Sequence, residues 1–431
     1  MGRFKYRSTT PAPERAILVG VDFGRDDAWP IEESLDELGR LAETDGAEVV
    51  MRVTQKLDAP VPRTFIGSGK AAELVTYVHN IDADIVIFDD ELSPSQQANL
   101  EKIIGEPTKV IDRTALILDI FGRHAKTREG RLQVQLAQLQ YLYPRLRGMW
   151  SHLAGNQTRG GIGSRFGMGE SQLEVDRRLI RNRISTLRAQ LDELDRRRGV
   201  QSKARWDSGV YRVALVGYTN AGKSTLLNHL TGSEVYARDE LFATLDPTTR
   251  ALTLEEGRKI TLTDTVGFIQ KLPTTLVEAF KSTLAEVTAA DLILCVVDAN
   301  DPKADREIDA VKEVLAQIGA DSIASVTVYN KSDLLGKDEL ADLTHLHPDA
   351  VSVSALEGTG LRGLLYRIAK EASAGDTTMT VLVPYDKGLL MNMVHERCQV
   401  MRERYEHGGL LATVKASARK TQTLDPYRVE D

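Results

Sequence analysis

At 431 residues, 42% hydrophobic and 27% charged, the chain has the composition of a soluble globular protein and is too long for one ordinary core. No run approaches the ~18 to 20 apolar residues of a membrane span, and the N-terminus lacks the apolar core of a signal peptide. No stable membrane insertion is therefore expected, and the expected location is cytoplasmic. The net charge of -7 hides an asymmetry: Phe121 to Arg198 holds 16 Lys+Arg against 7 Asp+Glu, a local balance of +9 that leaves -16 elsewhere. Such a block suits a polyanionic partner, although a solvated, arginine-rich helical face would carry the same charge.

From Arg15 to about Gly122, apolar runs at Ala16–Val21, Val49–Val53, Ile85–Phe88 and Lys109–Ile111 predict strands. Helical patterns at Ile31–Ala42, Lys70–His79 and Pro94–Ile104 lie between them, so a small parallel sheet covered by helices is expected. Gly67-Ser68-Gly69-Lys70 has the wrong spacing for a phosphate loop and reads as a glycine turn before a helix.

Leu132, Leu136, Leu139 and Tyr143 make one stripe of a helix from Gly130 to about Arg147. Ile180, Ile184, Leu187, Leu191 and Leu194 make another between about Glu170 and Arg198. Two such seams in sequence predict an antiparallel helical hairpin. Its connection, Gly155 to Gly169, interleaves six glycines with Arg159, Arg165 and Phe166. Arginine for phosphates and an aromatic ring for stacking would suit RNA contact, and a plain loop remains the alternative.

The next stretch is more specific. Gly217-Tyr218-Thr219-Asn220-Ala221-Gly222-Lys223-Ser224 fits G-x-x-x-x-G-K-[ST] at every position, after the apolar run Val213–Val216 and before a helix opening at Lys223. The glycines let backbone N–H groups turn toward phosphates at a positive helix end; Lys223 would reach the β- and γ-phosphates, and Ser224 would ligate Mg²⁺. The run Ile260–Thr263 then delivers Asp264-Thr265-Val266-Gly267, a D-x-x-G element. There Asp264 would hold Mg²⁺ through water and the Gly267 amide would sense the γ-phosphate. The run Val326–Tyr329 ends in Asn330-Lys331-Ser332-Asp333. The Asp333 carboxylate can accept both N1–H and N2–H₂ of guanine, whereas adenine would leave that charge unpaired. Asn330 would brace the loop, the Lys331 stem would cover one face of the base, and Ser354-Ala355-Leu356 would back it. GTP and GDP are the expected ligands, and Lys223 and Gly267 the expected catalytic contacts.

Of the two cysteines, Cys295 falls in the apolar run Leu292–Val297 and reads as a buried thiol; Cys398 is isolated from it. After about Glu371, strands at Met379–Pro384 and Leu410–Val414 are expected around a helix from Lys387 to about Arg404, with a disordered polar tail of about a dozen residues. The expected fold is thus α/β. A P-loop GTPase domain (206–372) follows a small parallel α/β domain (1–125) and a basic helical hairpin (126–205), and precedes a small β-α-β appendage (373–431).

Outside the nucleotide boxes, Phe65-Ile-Gly-Ser-Gly-Lys70, Asp89 to Gln97, Val110 to Phe121 and Phe242-Ala243-Thr244-Leu245-Asp246-Pro247 resemble the HflX family of translational GTPases, as do the glycine-rich segment and the arginine helix after it. The resemblance covers nearly the whole chain. It implies a protein that binds the large ribosomal subunit and its RNA near the peptidyl-transferase region and acts on stalled ribosomes, including by splitting them. It also implies that Phe242 to Asp246 is the first mobile switch and that Thr244 is a Mg²⁺ ligand; Thr248 and Thr249 could chemically serve in its place. A monomer is expected.

Ras-like enzymes place a water-orienting glutamine after D-x-x-G, where this chain has Phe268, which cannot hydrogen-bond water. Slow hydrolysis in isolation, stimulated by the ribosome, is the expectation. Asn220 resembles the asparagine with which some glutamine-lacking GTPases hold K⁺, though it could equally hydrogen-bond its own loop. A ribosome-assembly GTPase and a nucleotide-gated adaptor for a protein or membrane complex are the rival readings.

Overall fold

The apolar runs of the N-terminal region form β1 (Glu14–Asp22), β2 (Ala47–Lys56), β3 (Ile85–Phe88) and β4 (Lys109–Asp112), all parallel, in the order β2-β1-β3-β4. Helices α1 (Ile31–Thr44), α2 (Ser68–Ile81) and α3 (Pro94–Ile104) connect them. Ser93 caps α3 through a capping box with Gln96, and Pro94 occupies its first turn, where the missing N–H costs nothing. In this computed structural model the described residues are 13–25, 29–156, 168–206, 210–232, 241–242, 246–271 and 281–429. They fall into two units, one of Met1–Leu191 with Lys271–Ala279, the other of Asp192–Gln270 with Phe280–Asp431.

The first unit buries ion pairs at the carboxyl edge of its sheet. Arg113 opens α4 (Arg113–His124) and is 2% exposed. Its guanidinium donates to Asp89 Oδ1 at 2.8 Å, to Glu37 Oε1 at 2.6 Å and to the Ser34 carbonyl at 3.1 Å. Lys271 Nζ lies 2.6 Å from Asp89 and 2.7 Å from Asp90. Burial pushes the Asp89 carboxyl upward, but Arg113 and Lys271, with hydrogen bonds from Lys271 and Ser34, outweigh it and hold the group at about 2.

Two long helices, α5 (Arg128–Asn156) and α6 (Met168–Trp206), follow. Within α6, Leu187 of the sequence stripe is buried and Ile180, Ile184, Leu191 and Leu194 are half-buried, while most arginines nearby are exposed. Arg181 donates to the Tyr143 hydroxyl and Arg183 to Gln135, joining the helices across their polar flanks. Arg159, Arg165 and Phe166 lie outside the described residues.

The second unit is built on β5 (Tyr211–Gly217), β6 (Thr248–Thr253), β7 (Lys259–Asp264), β8 (Leu292–Asp298), β9 (Ser325–Asn330) and β10 (Val351–Ser352), in the order β10-β9-β8-β5-β7-β6. Only the edge strand β6 is antiparallel among these. Helices α7 (Lys223–Thr231), α8 (Lys281–Thr288), α9 (Ala304–Gln317), α10 (Lys337–Leu346) and α11 (Leu361–Ser373) accompany this sheet. Central strands buried on both faces read as continuous apolar runs, which makes them visible in the sequence. Cys295 sits inside β8, and burial pushes its thiol up to about 12, so it stays protonated.

A three-stranded antiparallel sheet ends the chain: β11 (Asp376–Val383), β12 (Gln399–Glu406) and β13 (Gly409–Ser417), in the order β11-β13-β12. Two details differ from expectation. Helix α12 stops at Arg397 (Gly388–Arg397), and residues 399–406 form a strand, because pairing with β13 across the His407-Gly408 turn outweighs the helical propensity of Met401, Arg402 and Glu403. Nor do residues 418–429 form a disordered tail. Helix α13 (Ala418–Leu424) buries Leu424 in the core of this sheet, and Val429 N–H donates to the Thr380 carbonyl at 2.8 Å.

Replacing Arg113 with Met removes the guanidinium that faces buried Glu37 and Asp89 and leaves Asp89 with Lys271 alone, so the first unit should lose about 3–5 kcal/mol in urea unfolding at pH 7. In the wild type, the Asp89 contribution is fully present above the unfolded carboxyl's value of 3.8 and is lost as pH falls through about 2. A pH-stability curve that is flat between 4 and 2 would contradict this.

Candidate nucleotide site

The loops that begin at Gly217, Asp264, Asn330 and Val353 leave the carboxyl ends of the parallel strands β5, β7, β9 and β10. Strand β5 runs into Gly217, and α7 begins at Lys223 with Gly222 as its N-cap at φ 88°. That left-handed conformation suits glycine, and a side chain there would collide with Asn330 Nδ2. Asn220 also has a positive φ, 63°, and is exposed; Tyr218, Thr219, Ala221 and Lys223 are buried.

The Lys223 ammonium donates to the Gly217 carbonyl at 3.1 Å and to the Tyr218 carbonyl at 2.7 Å. Burial pushes it down to about 8 against the pull of Asp264, so it remains mostly charged at pH 7. The Ser224 hydroxyl donates to Asp264 Oδ2 at 2.6 Å, bringing the two expected Mg²⁺-handling residues together. These hard oxygen donors fit that ion chemically. Thr265 is fully buried and donates to the Leu215 carbonyl, which pins the D-x-x-G element to β5.

Val266 is buried, and Gly267 packs tightly on the phosphate loop: a Cβ built there would lie 2.8 Å from Thr219 Cγ2 and 3.1 Å from Lys223 Nζ. Beyond it, Phe268 pairs with Tyr218 through a parallel β-bridge. Phe268 N–H donates to the Gly217 carbonyl at 3.0 Å, and Thr219 N–H donates to the Phe268 carbonyl at 2.8 Å. The Tyr218 hydroxyl accepts from Gln270 N–H at 2.5 Å.

At the other end, buried Asn330 joins two loops. Its Nδ2 donates to the Ala221 carbonyl at 2.8 Å and its Oδ1 accepts Ala355 N–H at 2.9 Å. Lys331 adopts φ 61°, and its ammonium pairs with Asp298 at 2.6 Å. Ser332 N–H donates to the Val353 carbonyl, while Asp333 is exposed in a short 3₁₀ turn (Ser332–Leu334). Ser354 is buried and caps the next turn by accepting Glu357 N–H; Leu356 is exposed.

Phe242 is buried at φ 57° and Asp246 is half-buried, whereas Ala243, Thr244 and Leu245 lie outside the described residues. Of the alternatives to Thr244, Thr249 is engaged with the Thr263 hydroxyl at 2.9 Å, and Thr248 opens β6 half-buried. Sequence reasoning missed the tie from Tyr218 to Gln270 and the Asp298 partner of Lys331. The one signal the sequence offers for either is an acidic residue ending an apolar strand, at Asp298.

Four family descriptions match successive stretches: "GTP-binding GTPase N-terminal" over residues 32–122, "GTP-binding GTPase Middle Region" over 124–205, "50S ribosome-binding GTPase" over 212–331 and "HflX C-terminal domain" over 339–428. The GTPase HflX of Caldanaerobacter subterraneus subsp. tengcongensis is 47% identical over 403 residues, covering 94% of this chain and 90% of that one. The GTPase HflX of Escherichia coli K12 is 42% identical over 400 residues, covering 92% of each. Among solved structures, a GTP-binding protein from the hyperthermophilic archaeon Sulfolobus solfataricus in complex with GDP is similar at 24% identity with a TM-score of 0.41, over 84% of this chain and 99% of that one. On the family descriptions and the two GTPase HflX relatives, which span both the nucleotide loops and the flanking regions, the chain belongs to the HflX family of GTPases.

Proposed function

We propose that this chain hydrolyses GTP on the large ribosomal subunit and uses the cycle to dissociate stalled ribosomes under stress. The observation that carries the nucleotide part is the Asn330 side chain, which fastens the phosphate loop to the loop at Ala355 and so holds the two ends of a guanine nucleotide site in register. In this reading the backbone from Gly217 to Ser224 cradles the phosphates and Lys223 neutralises the β- and γ-phosphoryl oxygens. The Gly267 amide addresses the γ-phosphate, with Thr265 and Val266 setting its path. Ser224 and Thr244 would ligate Mg²⁺, and Asp264 would hold it through water; once bound, the ion neutralises phosphate charge. Asp333 accepts from guanine, Lys331 and Ser332 flank it, and Ser354 to Leu356 back the base.

The ribosomal part is supported by the family description matched over 212–331 and by the arginine-rich α6. Residues 126–205 are assigned to RNA contact, with Arg159, Arg165 and Phe166 at the tip. The protein acts as a cytoplasmic monomer built from four segments: 1–125, 126–205, 206–372 and 373–431. Phe268 cannot orient water, so hydrolysis is slow until the ribosome acts, and K⁺ held near Asn220 would neutralise transition-state charge.

Asp333→Asn should weaken GTP binding by about 100-fold or more while favouring a xanthine nucleotide, read by titration. Unchanged GTP affinity would remove Asp333 from the base site. Sedimentation of whole ribosomes incubated with the protein and GTP should show conversion to subunits, and Arg159→Ala with Arg165→Ala should weaken binding and flatten its salt dependence. Binding to precursor particles without conversion would favour assembly, and no ribosome binding would favour an adaptor. For the cation, basal hydrolysis should be faster in K⁺ than in Na⁺ at equal ionic strength, and Asn220→Ala should abolish the difference. Equal wild-type rates in the two salts would exclude K⁺.

A further inference from the structure

Helix α7 carries polar residues at both of its ends. Lys223 and Ser224 open it at the phosphate loop, Leu226 and Leu227 anchor it in the core of the second unit, and His229 lies in its last turn. His229 Nδ1 stands 3.0 Å from the Ala355 carbonyl oxygen; a carbonyl can only accept, so Nδ1 carries the proton and donates. Beside the ring, Gly358 adopts φ 77°, and a Cβ there would lie 2.6 Å from His229 Nε2 and 2.8 Å from Cε1. The imidazole is thus seated against the bare backbone of the loop that follows β10. Ala355 is held from two directions, its N–H by Asn330 Oδ1 at 2.9 Å and its carbonyl by His229. The Ala355–Leu356 peptide bond is trans, so a carbonyl turned toward α7 turns the Leu356 N–H the opposite way. That N–H takes no hydrogen bond among the described residues. Its neighbours are engaged: Ser354 N–H donates to the Thr359 carbonyl, Glu357 N–H to the Ser354 hydroxyl and Gly358 N–H to the Ser354 carbonyl.

We propose that His229 is a positioning residue for the guanine base. By holding the Ala355 carbonyl, it keeps the Leu356 N–H turned away from α7 as a donor to the 6-oxygen of guanine. Adenine carries an amino group at that position, so donor would face donor, and the contact adds to the discrimination assigned to Asp333. His229 itself acts only through the peptide it holds. Without its Nδ1–H, the carbonyl of a residue that is 2% exposed loses its partner, and the peptide is free to turn. Base binding then weakens, while the chemistry at the phosphates, arranged by Lys223 at the far end of the helix and by Gly267, is untouched. The proposal rests on the guanine-nucleotide reading above.

Stopped-flow release of GDP from the full chain, together with single-turnover hydrolysis at saturating GTP, tests it. His229→Leu should speed GDP release about 10-fold, the scale of one lost hydrogen bond, and leave the saturated hydrolysis rate within about twofold. His229→Asn has nearly the same shape as the Leu variant but places an N–H₂ close to where Nδ1–H stood, and should return release to within about threefold of wild type. Gly358→Ala drives a methyl into the imidazole and should speed release in the same way with His229 intact. The diphosphate of 2-aminopurine riboside lacks the 6-oxygen, so wild type and His229→Leu should bind it equally, within about twofold. Unchanged GDP release in His229→Leu, an Asn variant as fast as the Leu variant, a parallel fall in the saturated rate, or an equal loss for the 2-aminopurine nucleotide would each overturn the assignment. A wild-type chain that binds no GDP would instead overturn the nucleotide-site reading beneath it.

Discussion

The second unit depends on a side chain that never needs to touch the nucleotide's reacting end. Asn330 is an amide with one donor and one acceptor side, and both are committed to backbone: the Ala221 carbonyl and the Ala355 N–H. Each bond lies in the buried interior, where an unmade partner would cost more than the bond itself contributes. The loops following β5, β9 and β10 are therefore fixed against one another before any ligand arrives. The close approach is possible only because Gly222 presents no side chain toward the amide. An aspartate at residue 330 could accept but not donate, so it would leave one loop untethered.

Charge is buried in two different ways. In the first unit, Arg113 is surrounded by carboxylates and carbonyl oxygen, and Lys271 adds a second cation against Asp89. The cluster fixes α1 and α4 to the ends of β3 and β4, and its role is architectural. In the second unit, Lys223 is held by neutral carbonyls with a carboxylate at longer range, and burial lowers its proton affinity. That cation is only partly compensated within the protein, which leaves it suited to an anion. The contrast separates a structural charge from one kept for a ligand.

How much of this is legible in the sequence follows from where each partner lies. The phosphate loop and the N-K-x-D box are visible because their spacing is dictated by the ligand, whatever surrounds them. The parallel strands are visible because burial on both faces leaves unbroken apolar runs such as Leu292–Val297. Arg113 with Asp89 and Glu37 is not visible, since partners 24 and 76 residues apart have no local signature. The strand Gln399–Glu406 reads as helix in the sequence because its outward residues are good helix formers, and only β13 imposes the extended form. The same holds for Leu424, whose burial depends on a sheet assembled from the preceding 50 or so residues.

The bridge between Tyr218 and Phe268 has a kinetic consequence. The amide hydrogens of Thr219, Phe268 and Gln270 are bound to the Phe268 carbonyl, the Gly217 carbonyl and the Tyr218 hydroxyl respectively. An amide exchanges with deuterated solvent only while its hydrogen bond is open. These three protons, spread over two stretches of chain more than 40 residues apart, therefore share one opening event. Their common opening, recovered from each exchange rate, is a built-in clock for separation of the D-x-x-G segment from the phosphate loop, readable without any label on the protein.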